Sequence, residues 1–509
     1  MKKLLSFIFV TMLGGQVWAG QNYDFSSVCS SGQTLYFKIT NSTEPYTVEV
    51  TYPNTLGGTY AYNEYTKPTG SVAIPESVTY EGVNYSVTRI GKSAFRKCDY
   101  LTSINIPSTV TSIGYEAFKG CTNLSIVTIS NSIIEIGIDE FSDCKKLNYN
   151  KYDKAYYLGN DENPYIALIK VESTEITSCD INDNCFVIGD NAFKDCSGLT
   201  SITIPNTVKR IGNLAFYNCC NLTSATIPST ISSVGTFAFQ DCNNLDYNTY
   251  NNAYYLGNGD CSYVILIAAK RDDIESCIIH SNCRAVYSRA FFNCTNLKSV
   301  SIPNSVVEIG DDAFYNCGAL EKVEFESIES FCRIKYLSSY SNPMEWYHHL
   351  IIKGKEVTDL TIPETVPIID NGAFGYCHFL TSVTITNDVN VTKSGLYFTK
   401  DDIKYRLLDK NTVSVISFDN SNFVNVVIPD VVVAGNIFEV TSINAFSYCS
   451  NLTTVIIPNS IKSIGSNSFQ YCTSLTSVDI PHSVTTIGNN VFSDCNNLAS
   501  VSIGSLLQR

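Results

Sequence analysis

The chain has 509 residues, of which only 16% are charged, and a formal net charge of −14 at pH 7. This acidic balance argues against nucleic acids and other anionic partners held by charge, because such partners need clusters of Lys and Arg. After the N-terminal segment, no stretch approaches the roughly 18 apolar residues of a membrane-spanning helix, so we predict no membrane span.

Residues 1–19 have the three parts of a secretory signal peptide. Lys2 and Lys3 form the positive part, Leu4 to Leu13 the apolar part, and Val17, Trp18 and Ala19 the cleavage site. We therefore expect an exported protein that is secreted or held at the cell surface. A periplasmic or outer-membrane-associated location is also compatible with export.

A Phe-x-x-Cys doublet occurs twelve times, and most doublets stand 23 residues from the next. A fixed period of this length is typical of a solenoid, in which each unit buries its apolar face only against its neighbours. We interpret the doublets as a structural ladder inside the coil. The twelve pairs are Phe95/Cys98, Phe118/Cys121, Phe141/Cys144, Phe193/Cys196, Phe216/Cys219, Phe239/Cys242, Phe291/Cys294, Phe314/Cys317, Phe374/Cys377, Phe446/Cys449, Phe469/Cys472 and Phe492/Cys495.

One unit, LTSINIPSTVTSIGYEAFKGCTN, shows what each position does. Ile104 and Ile106 alternate with polar residues, which predicts a strand with one face inward, and Pro107 ends that strand. Gly114 is expected to allow a tight turn, and the residues before Phe118 predict a single helical or 3₁₀ turn. The predicted fold class is therefore a mainly β repeat solenoid, a right-handed coil of 23-residue units with a parallel sheet and short helical turns.

The pattern L-T-S-[IV]-x-I-P-x-[ST]-V-x-x-I-G-x-x-A-F-x-x-C resembles the leucine-rich repeat of the BspA-like family, from about Ser71 to Ile503. The resemblance implies a secreted or surface-displayed protein of Bacteroidetes type that binds partners in adhesion. It supplies no catalytic residues.

The resemblance also suggests a division of the chain. The stretch from Leu35 to Phe95 is similar to the first segment of secreted family members, so residues 20–70 are predicted to be a β-rich N-terminal cap region. The solenoid then runs over residues 71–389. A cap-like module is expected to recur at 390–440, because its LYFTKDD and NVVIP motifs repeat LYFKITN and SVAIP. C-terminal repeats occupy 441–509.

Three coils lack the regular pattern, at residues 147–175, 245–273 and 320–356. The first two resemble each other, YDKAYYLGNDENPYIALIK against YNNAYYLGNGDCSYVILIA, and lie 98 residues apart, so a block of four coils was duplicated. Each of the two reads as a hairpin, with two β-prone runs around a Gly/Asn/Asp turn. Function is more often found where a repeat pattern breaks than where it is regular.

The cysteines allow two interpretations. Export favours disulfides, yet equivalent residues of stacked coils point the same way, which suits disulfide geometry poorly. We interpret the ladder cysteines as buried thiols, and leave open a bridge within one coil for the pairs Cys179/Cys185 and Cys277/Cys283. No paired C-x-x-C spacing indicates a zinc site.

No motif of catalysis, phosphate binding or metal binding is present, so we expect no enzyme, no cofactor and no metal. His348 and His349 beside Trp346 and Tyr347 could be a metal or sugar site, or loop residues that pack over a coil. The outward strand positions are mainly Ser and Thr, which we interpret as a solvated ladder that could also serve a broad contact.

Tyrosine is concentrated in the irregular coils. If exposed, these rings would be anchors for a protein or carbohydrate partner; the alternative is that they cover the coil beneath them. The leading hypothesis is a binding protein for a host or microbial surface protein or glycan, and the alternatives are a structural surface scaffold and a glycan-binding module. The hypothetical partner-binding residues are Tyr156, Tyr157, Tyr254, Tyr255, Trp346 and Tyr347.

Overall fold

The computed structural model describes residues 21–42, 45–54, 61–62, 65–137, 140–345, 349–366, 369, 373–375, 377, 379–386, 395–418 and 423–504. The predicted signal peptide lies outside these residues. The chain divides into two compact units, described separately below. Unit one consists of Met1–Leu199, Thr207–Cys220 and Ala238–Asp241, and unit two of Thr200–Asn206, Asn221–Phe237 and Cys242–Arg509.

Unit one begins with a β-rich cap. Its strands are Phe25–Val28 (β1), Thr34–Asn41 (β2), Thr47–Thr51 (β3), Gly70–Ala73 (β4), Ser77–Tyr80 (β5) and Val83–Ile90 (β6). Strands β1, β2 and β3 are antiparallel neighbours, β3 pairs with β6 in parallel, and the hairpin partner β5 lies beside β6. The cap thus changes from antiparallel to parallel pairing before the repeats begin.

The repeats of unit one carry a long and a short strand in each regular coil. They are Leu101–Asn105 (β7), Ser112–Ile113 (β8), Ile126–Thr128 (β9), Glu135–Ile136 (β10), Asn150–Tyr152 (β11), Ala155–Leu158 (β12), Ala167–Val171 (β13), Val187–Ile188 (β14) and, beyond β15, Arg210–Ile211 (β16). Long strands pair in parallel with long ones, as in β4-β7-β9, and short strands with short ones, as in β8-β10, a row that begins on the end of the cap strand β6.

Unit two repeats this scheme. Its strands before the internal module are Ser201–Thr203 (β15), Ser224–Thr226 (β17), Ser233–Val234 (β18), Asn248–Tyr250 (β19), Ala253–Leu256 (β20), Ile265–Ala269 (β21), Ser276–Ile278 (β22), Ala285–Val286 (β23), Ser299–Ile302 (β24), Glu308–Ile309 (β25), Lys322–Phe325 (β26), Lys335–Tyr336 (β27), Ile351–Ile352 (β28), Lys355–Glu356 (β29), Asp359–Ile362 (β30) and Ser382–Ile385 (β31). The irregular coil at 320–356 adds a helix, Ile328–Arg333 (α1), whose N-cap Ser327 accepts a hydrogen bond from the Ser330 backbone N–H, and 3₁₀ turns at Ser339–Ser341 and Pro343–Glu345.

The remaining strands of unit two are Tyr397–Lys400 (β32), Ile403–Leu407 (β33), Thr412–Phe418 (β34), Asn425–Val427 (β35), Val431–Ala434 (β36), Asn436–Ile443 (β37), Thr454–Ile456 (β38), Ser463–Ile464 (β39), Ser477–Ile480 (β40), Thr486–Ile487 (β41) and Ser500–Ile503 (β42). Strands β32 to β37 form an internal module with the pairing of the N-terminal cap. Its order is β32-β33-β34-β37-β39-β41 with β36 beside β37, and the cap order is β1-β2-β3-β6-β8-β10 with β5 beside β6.

The core of a regular coil contains the residues that the period predicts. In the unit read above, Ile104, Ile106, Phe118 and Cys121 are all buried. Equivalent Phe rings stack within 14° of parallel, with centroids 4.9 to 5.5 Å apart, in seven pairs of neighbouring doublets. The predicted fold class, a mainly β leucine-rich-repeat solenoid, is confirmed.

The corner beside each Phe differs from the prediction. It is a run of tight turns rather than a helical turn, because two residues per corner adopt positive φ, as Glu116 (54°) and Gly120 (75°) do. The requirement for glycine at position 114 also has a cause other than the expected tight turn. A Cβ there would lie 2.8 Å from the Lys92 backbone N of the preceding coil, so the close stacking of coils, rather than a turn, requires glycine.

The ladder cysteines are free thiols, and those of the described doublets are buried except Cys449 and Cys495, which are half-buried. The buried ladder residues include Phe118, Cys121, Phe216, Cys219, Phe239, Cys242, Phe314, Cys317, Phe469 and Cys472. Their thiols are also hydrogen-bond donors, which the sequence did not predict. Six of them, including Cys121, Cys219, Cys317 and Cys472, donate to the carbonyl oxygen of the Phe in the preceding coil, at 2.9 to 3.2 Å. The pairs Cys179/Cys185 and Cys277/Cys283 are free thiols too.

Candidate functional site

The two tyrosine-rich coils have the same structure, with three antiparallel strands rather than the predicted two. In the first, β11 and β12 form a tight hairpin with Tyr156 opposite Lys151, and β12 returns along β13. In the second, β19, β20 and β21 repeat this register, with Tyr254 opposite Thr249. Neighbouring residues of β12 and of β20 therefore point to opposite faces.

This alternation separates the predicted partner-binding tyrosines into two classes. Tyr157 and Tyr255 are fully buried, and their hydroxyls accept backbone N–H bonds from Asn182 at 3.2 Å and His280 at 3.3 Å. The expectation of exposed rings is wrong for these two, since they fill the coil beneath the hairpin. Burial also raises the pKa of both phenols.

Tyr156 and Tyr254 are half-buried on the other face. The Tyr156 ring leans on Tyr149 at 6.0 Å, and the ammonium group of Lys170 lies 4.6 Å from the Tyr149 ring centre. Tyr254 leans on Tyr247 at 5.8 Å. These rings are therefore engaged within their own hairpin, and their role in partner binding stays a prediction. Trp346 and Tyr347 lie outside the described residues.

A pocket of about 450 Å³ lies beside the first hairpin, where the coil lacks its Phe-x-x-Cys corner. Phe141 and Cys144 of the preceding corner, Tyr149 and Lys170 of the hairpin, and Asp190 of the following coil are among its lining residues. Burial raises the pKa of Asp190 to about 6, although hydrogen bonds from Asn213 and the charge of Arg210 act in the other direction.

The chemistry of this pocket is not repeated in the second hairpin. Ala268 and Ser288 stand 98 residues after Lys170 and Asp190, so the cation and the buried carboxylate are both lost. Because the second hairpin lacks these two charged residues, the pocket does not indicate a function that the two hairpins share.

The internal module carries a different surface, the outward face of the hairpin β36–β37. Val431, Val433 and Ile437 occupy this face and are 46%, 61% and 68% exposed. Val433 and Ile437 are direct partners across the hairpin, and Val431 lies two residues from Val433 on the same face. We call these three residues the apolar hairpin face.

The N-terminal cap offers an internal comparison, because its hairpin β5–β6 pairs the equivalent positions around a turn that is one residue longer. Val431, Val433 and Ile437 correspond to Ser77, Thr79 and Asn84, which are all polar and exposed. The shared backbone therefore does not require apolar residues at these positions. The sequence analysis did not identify this face. The signal was present in the sequence, because the VVV run at 431–433 replaces the two polar residues of the equivalent SVT run at 77–79.

The same part of unit two has a pocket that borders the apolar hairpin face and, on a different sheet, a second exposed apolar pair. Val427 and Ile456 are register partners on neighbouring parallel strands and are also exposed, at positions where most other coils carry a polar residue. An open pocket of about 500 Å³ joins Val431 and Ile437 to two exposed carboxylates, Asp430 and Glu439. Residues 411–504 contain five acidic residues and only one cation, Lys462.

The parts of the chain that the structure describes contain neither a cluster of metal-ligand side chains nor a long apolar helix. There, no three His, Cys, Asp or Glu side chains gather in a way that could hold a metal ion. No helix among the same residues is long and apolar enough to cross a membrane.

Comparison with known proteins identifies the family of the chain. The model of the BspA type leucine-rich repeat region, in six copies, matches residues 58–160, 171–264, 268–345, 350–432 and 411–509. Among solved structures, a leucine-rich cell surface protein of Faecalibacterium prausnitzii is 21% identical, with 95% of each chain covered and a TM-score of 0.25. A leucine-rich repeat protein of Bacteroides ovatus is 21% identical over 92% of this chain and 98% of that one, with a TM-score of 0.23. Among curated proteins there is no match. The family model covers most of the chain, which therefore belongs to the BspA-type leucine-rich repeat family.

Proposed function

We propose that this chain is an exported surface protein that binds another protein through the apolar hairpin face. The observation that carries the proposal is the contrast between two copies of one hairpin. At equivalent positions, the cap presents Ser77, Thr79 and Asn84 and the internal module presents Val431, Val433 and Ile437.

The cost of exposing this face supports a role for it. Each exposed aliphatic side chain forgoes about 25 cal/mol for every Å² that it could remove from water. Contiguous apolar residues on a soluble surface are typical of interaction sites. Because the polar version of the hairpin exists in the same chain, solubility alone favours polar residues here, and a partner that covers the valines explains their presence.

The charges around the face define the chemistry of the partner. Asp430 and Glu439 are the charged residues among those that line the adjoining pocket, and no Lys or Arg is among the lining residues. A complementary partner therefore has an apolar patch bordered by Lys or Arg, since opposite charges at the rim raise the association rate and select the partner. The family's surface proteins make an extracellular partner the natural candidate.

The test uses the chain from residue 20 onward against immobilised purified extracellular matrix proteins, mucins and bacterial surface proteins, read by biolayer interferometry. We expect saturable binding to at least one protein. The double variant Val433→Thr/Ile437→Asn, which copies the cap, should weaken that binding about 100-fold, since two apolar side chains of roughly 1.5 kcal/mol each leave the interface.

The matched control is the reverse change in the cap, Thr79→Val/Asn84→Ile, which should leave the affinity unchanged. Asp430→Asn/Glu439→Gln should reduce the salt dependence of binding. The proposal fails if the double variant binds like the wild type with an unchanged thermal midpoint. A chain with no saturable protein partner on the panel would instead be a scaffold.

A further inference from the structure

A second exposed feature of unit two lies at the corners of its last coils and does not involve the apolar hairpin face. The residue immediately before each ladder cysteine adopts a left-handed backbone, with φ between 55° and 75°. Such a conformation favours Gly, Asn and Asp, because a Cβ crowds the following carbonyl oxygen and the short polar side chains of Asn and Asp offset this by local hydrogen bonds. Eight of the eleven described positions obey this rule: Gly120, Asp143, Asp195, Asn218, Asp241, Asn293, Asn316 and Asp494.

Two of the exceptions are tyrosines in neighbouring coils. Tyr448 has φ of 65° and Tyr471 has φ of 61°, and they are 71% and 37% exposed. Neither ring fills the core, so packing does not explain why a residue suited to this backbone is missing. An exposed residue that does not suit its own backbone conformation points to a functional role for its side chain.

The two rings form an ordered pair. Their centroids lie 4.7 Å apart and their planes are within 18° of parallel. The backbone fixes this spacing, because the Tyr448 N–H donates to Gln470 and the Tyr471 N–H to Ser493, at 2.7 and 2.9 Å. One face of Tyr448 rests against Tyr471, and its high exposure leaves the other face open to solvent. The coils therefore hold an aromatic ring in place for a flat ligand.

The charged residues around the two rings favour one kind of flat ligand over others. The next coil carries Asp494 at the same position, with an exposed carboxylate. Residues 441–504, which span Tyr448, Tyr471 and Asp494, contain one Lys, Lys462, and no Arg, and this low positive charge disfavours nucleic acids and acidic sugars. A neutral sugar ring suits this combination, since its apolar C–H face stacks on an aromatic face and its hydroxyls donate to carboxylate and amide oxygens.

We propose that Tyr448 and Tyr471 form a stacking site for a neutral sugar ring of a glycan, with Asp494 as a hydroxyl acceptor. The site uses none of the residues of the apolar hairpin face, so either proposal can fail while the other stands.

The test is affinity electrophoresis of the chain from residue 20 onward in gels that contain uncharged polysaccharides: a glucan, a mannan and a galactan. At least one should retard the wild type. Tyr448→Asn places a residue there that this backbone favours at Asn218, Asn293 and Asn316, so it should not lower the thermal midpoint. It should weaken the interaction about tenfold or more, the usual effect of removing a stacking ring.

Tyr100→Asn is the matched control, because Tyr100 is equally exposed at 71% but has an ordinary backbone. It should migrate like the wild type. Three results overturn the site: no retardation by any of the polysaccharides, equal retardation of wild type and Tyr448→Asn, or loss of retardation in Tyr100→Asn as well. Binding of poly-L-proline with no binding of any polysaccharide would show that the rings serve a peptide instead.

Discussion

The ladder cysteine combines two properties that no other small residue offers. It packs as an apolar group inside the corner, and its S–H reaches a carbonyl oxygen that the turn leaves only partly satisfied. Cys317 shows both, since it is fully buried and donates to the carbonyl of Phe291 at 3.1 Å. The burial of Cys317 was predictable from the 23-residue period of the sequence. The hydrogen bond was not, because it joins residues 26 positions apart and depends on the path of the backbone between them.

These thiols make the stability of the fold sensitive to alkaline pH. Burial raises the pKa of Cys317 and of Cys472 from an ordinary 9.0 to about 12, and that of Cys294 to about 11. Above pH 9 an unfolded chain releases thiol protons that the folded chain still holds. The contribution of each such thiol to the free energy of unfolding is therefore constant below pH 9 and falls as the pH rises from 9 toward 12, by up to about 1.4 kcal/mol per pH unit.

Urea denaturation between pH 7 and 11, under a reductant, measures this dependence. Tyrosines also titrate above pH 10, so the comparison that isolates one thiol is wild type against Cys317→Ala. The variant should be less stable at pH 7 and lose less stability on going to pH 11. Parallel pH curves for the two proteins would contradict a raised thiol pKa.

At the scale of elements, the hairpin coils show where pattern reasoning works and where it stops. The 98-residue duplication predicted that two coils share one structure, and they do, down to the irregularity between Tyr156/Tyr157 and Tyr254/Tyr255. The short turn at Asp153 was not recognised, so one strand of each coil was missed. Two adjacent tyrosines on a strand point to opposite faces, so they cannot both face solvent. The predicted site therefore has two halves: Tyr157 and Tyr255 are buried, and Tyr156 and Tyr254 are half-buried.

The two halves should respond differently to substitution. Tyr157→Ala and Tyr255→Ala remove a buried ring and leave a backbone N–H without its acceptor, so each should cost about 3 to 5 kcal/mol of stability. Tyr156→Ala and Tyr254→Ala remove rings on the outer face and should cost about 1 kcal/mol. Urea midpoints followed by far-UV circular dichroism give the comparison, with each hairpin as the replicate of the other. Equal costs for Tyr156 and Tyr157 would disagree with the buried position of Tyr157.

For the molecule as a whole, the repeat consensus predicted the regular coils well, because the described ones place the same residues in their cores. The cap-like module was expected near 390–440 from matching motifs, and β32 to β37 have the strand order of the N-terminal cap. The motif match itself was partly misleading. The LYF of residues 35–37 lies in β2, whereas the LYF of residues 396–398 leads into β32, which corresponds to β1. Strand pairing, which a motif does not encode, decides the correspondence.

A solenoid needs a structure that covers the exposed edge of its first coil, and the N-terminal cap is built for this purpose. The internal module has the same pairing and its own buried residues, among them Phe398, Tyr405, Val413, Phe438 and Val440. We therefore predict that residues 395–509 fold without the preceding coils, with a cooperative thermal transition in circular dichroism and dispersed amide signals in NMR spectra.

The control is a fragment of similar length that consists of coils without a module, residues 274–386. Its first coil exposes a parallel strand and its apolar face, so no cooperative transition is expected, because a repeat gains most of its stability from a covered neighbour. If residues 274–386 fold and residues 395–509 do not, the internal module depends on the coils before it and is a mid-chain insertion with the topology of a cap.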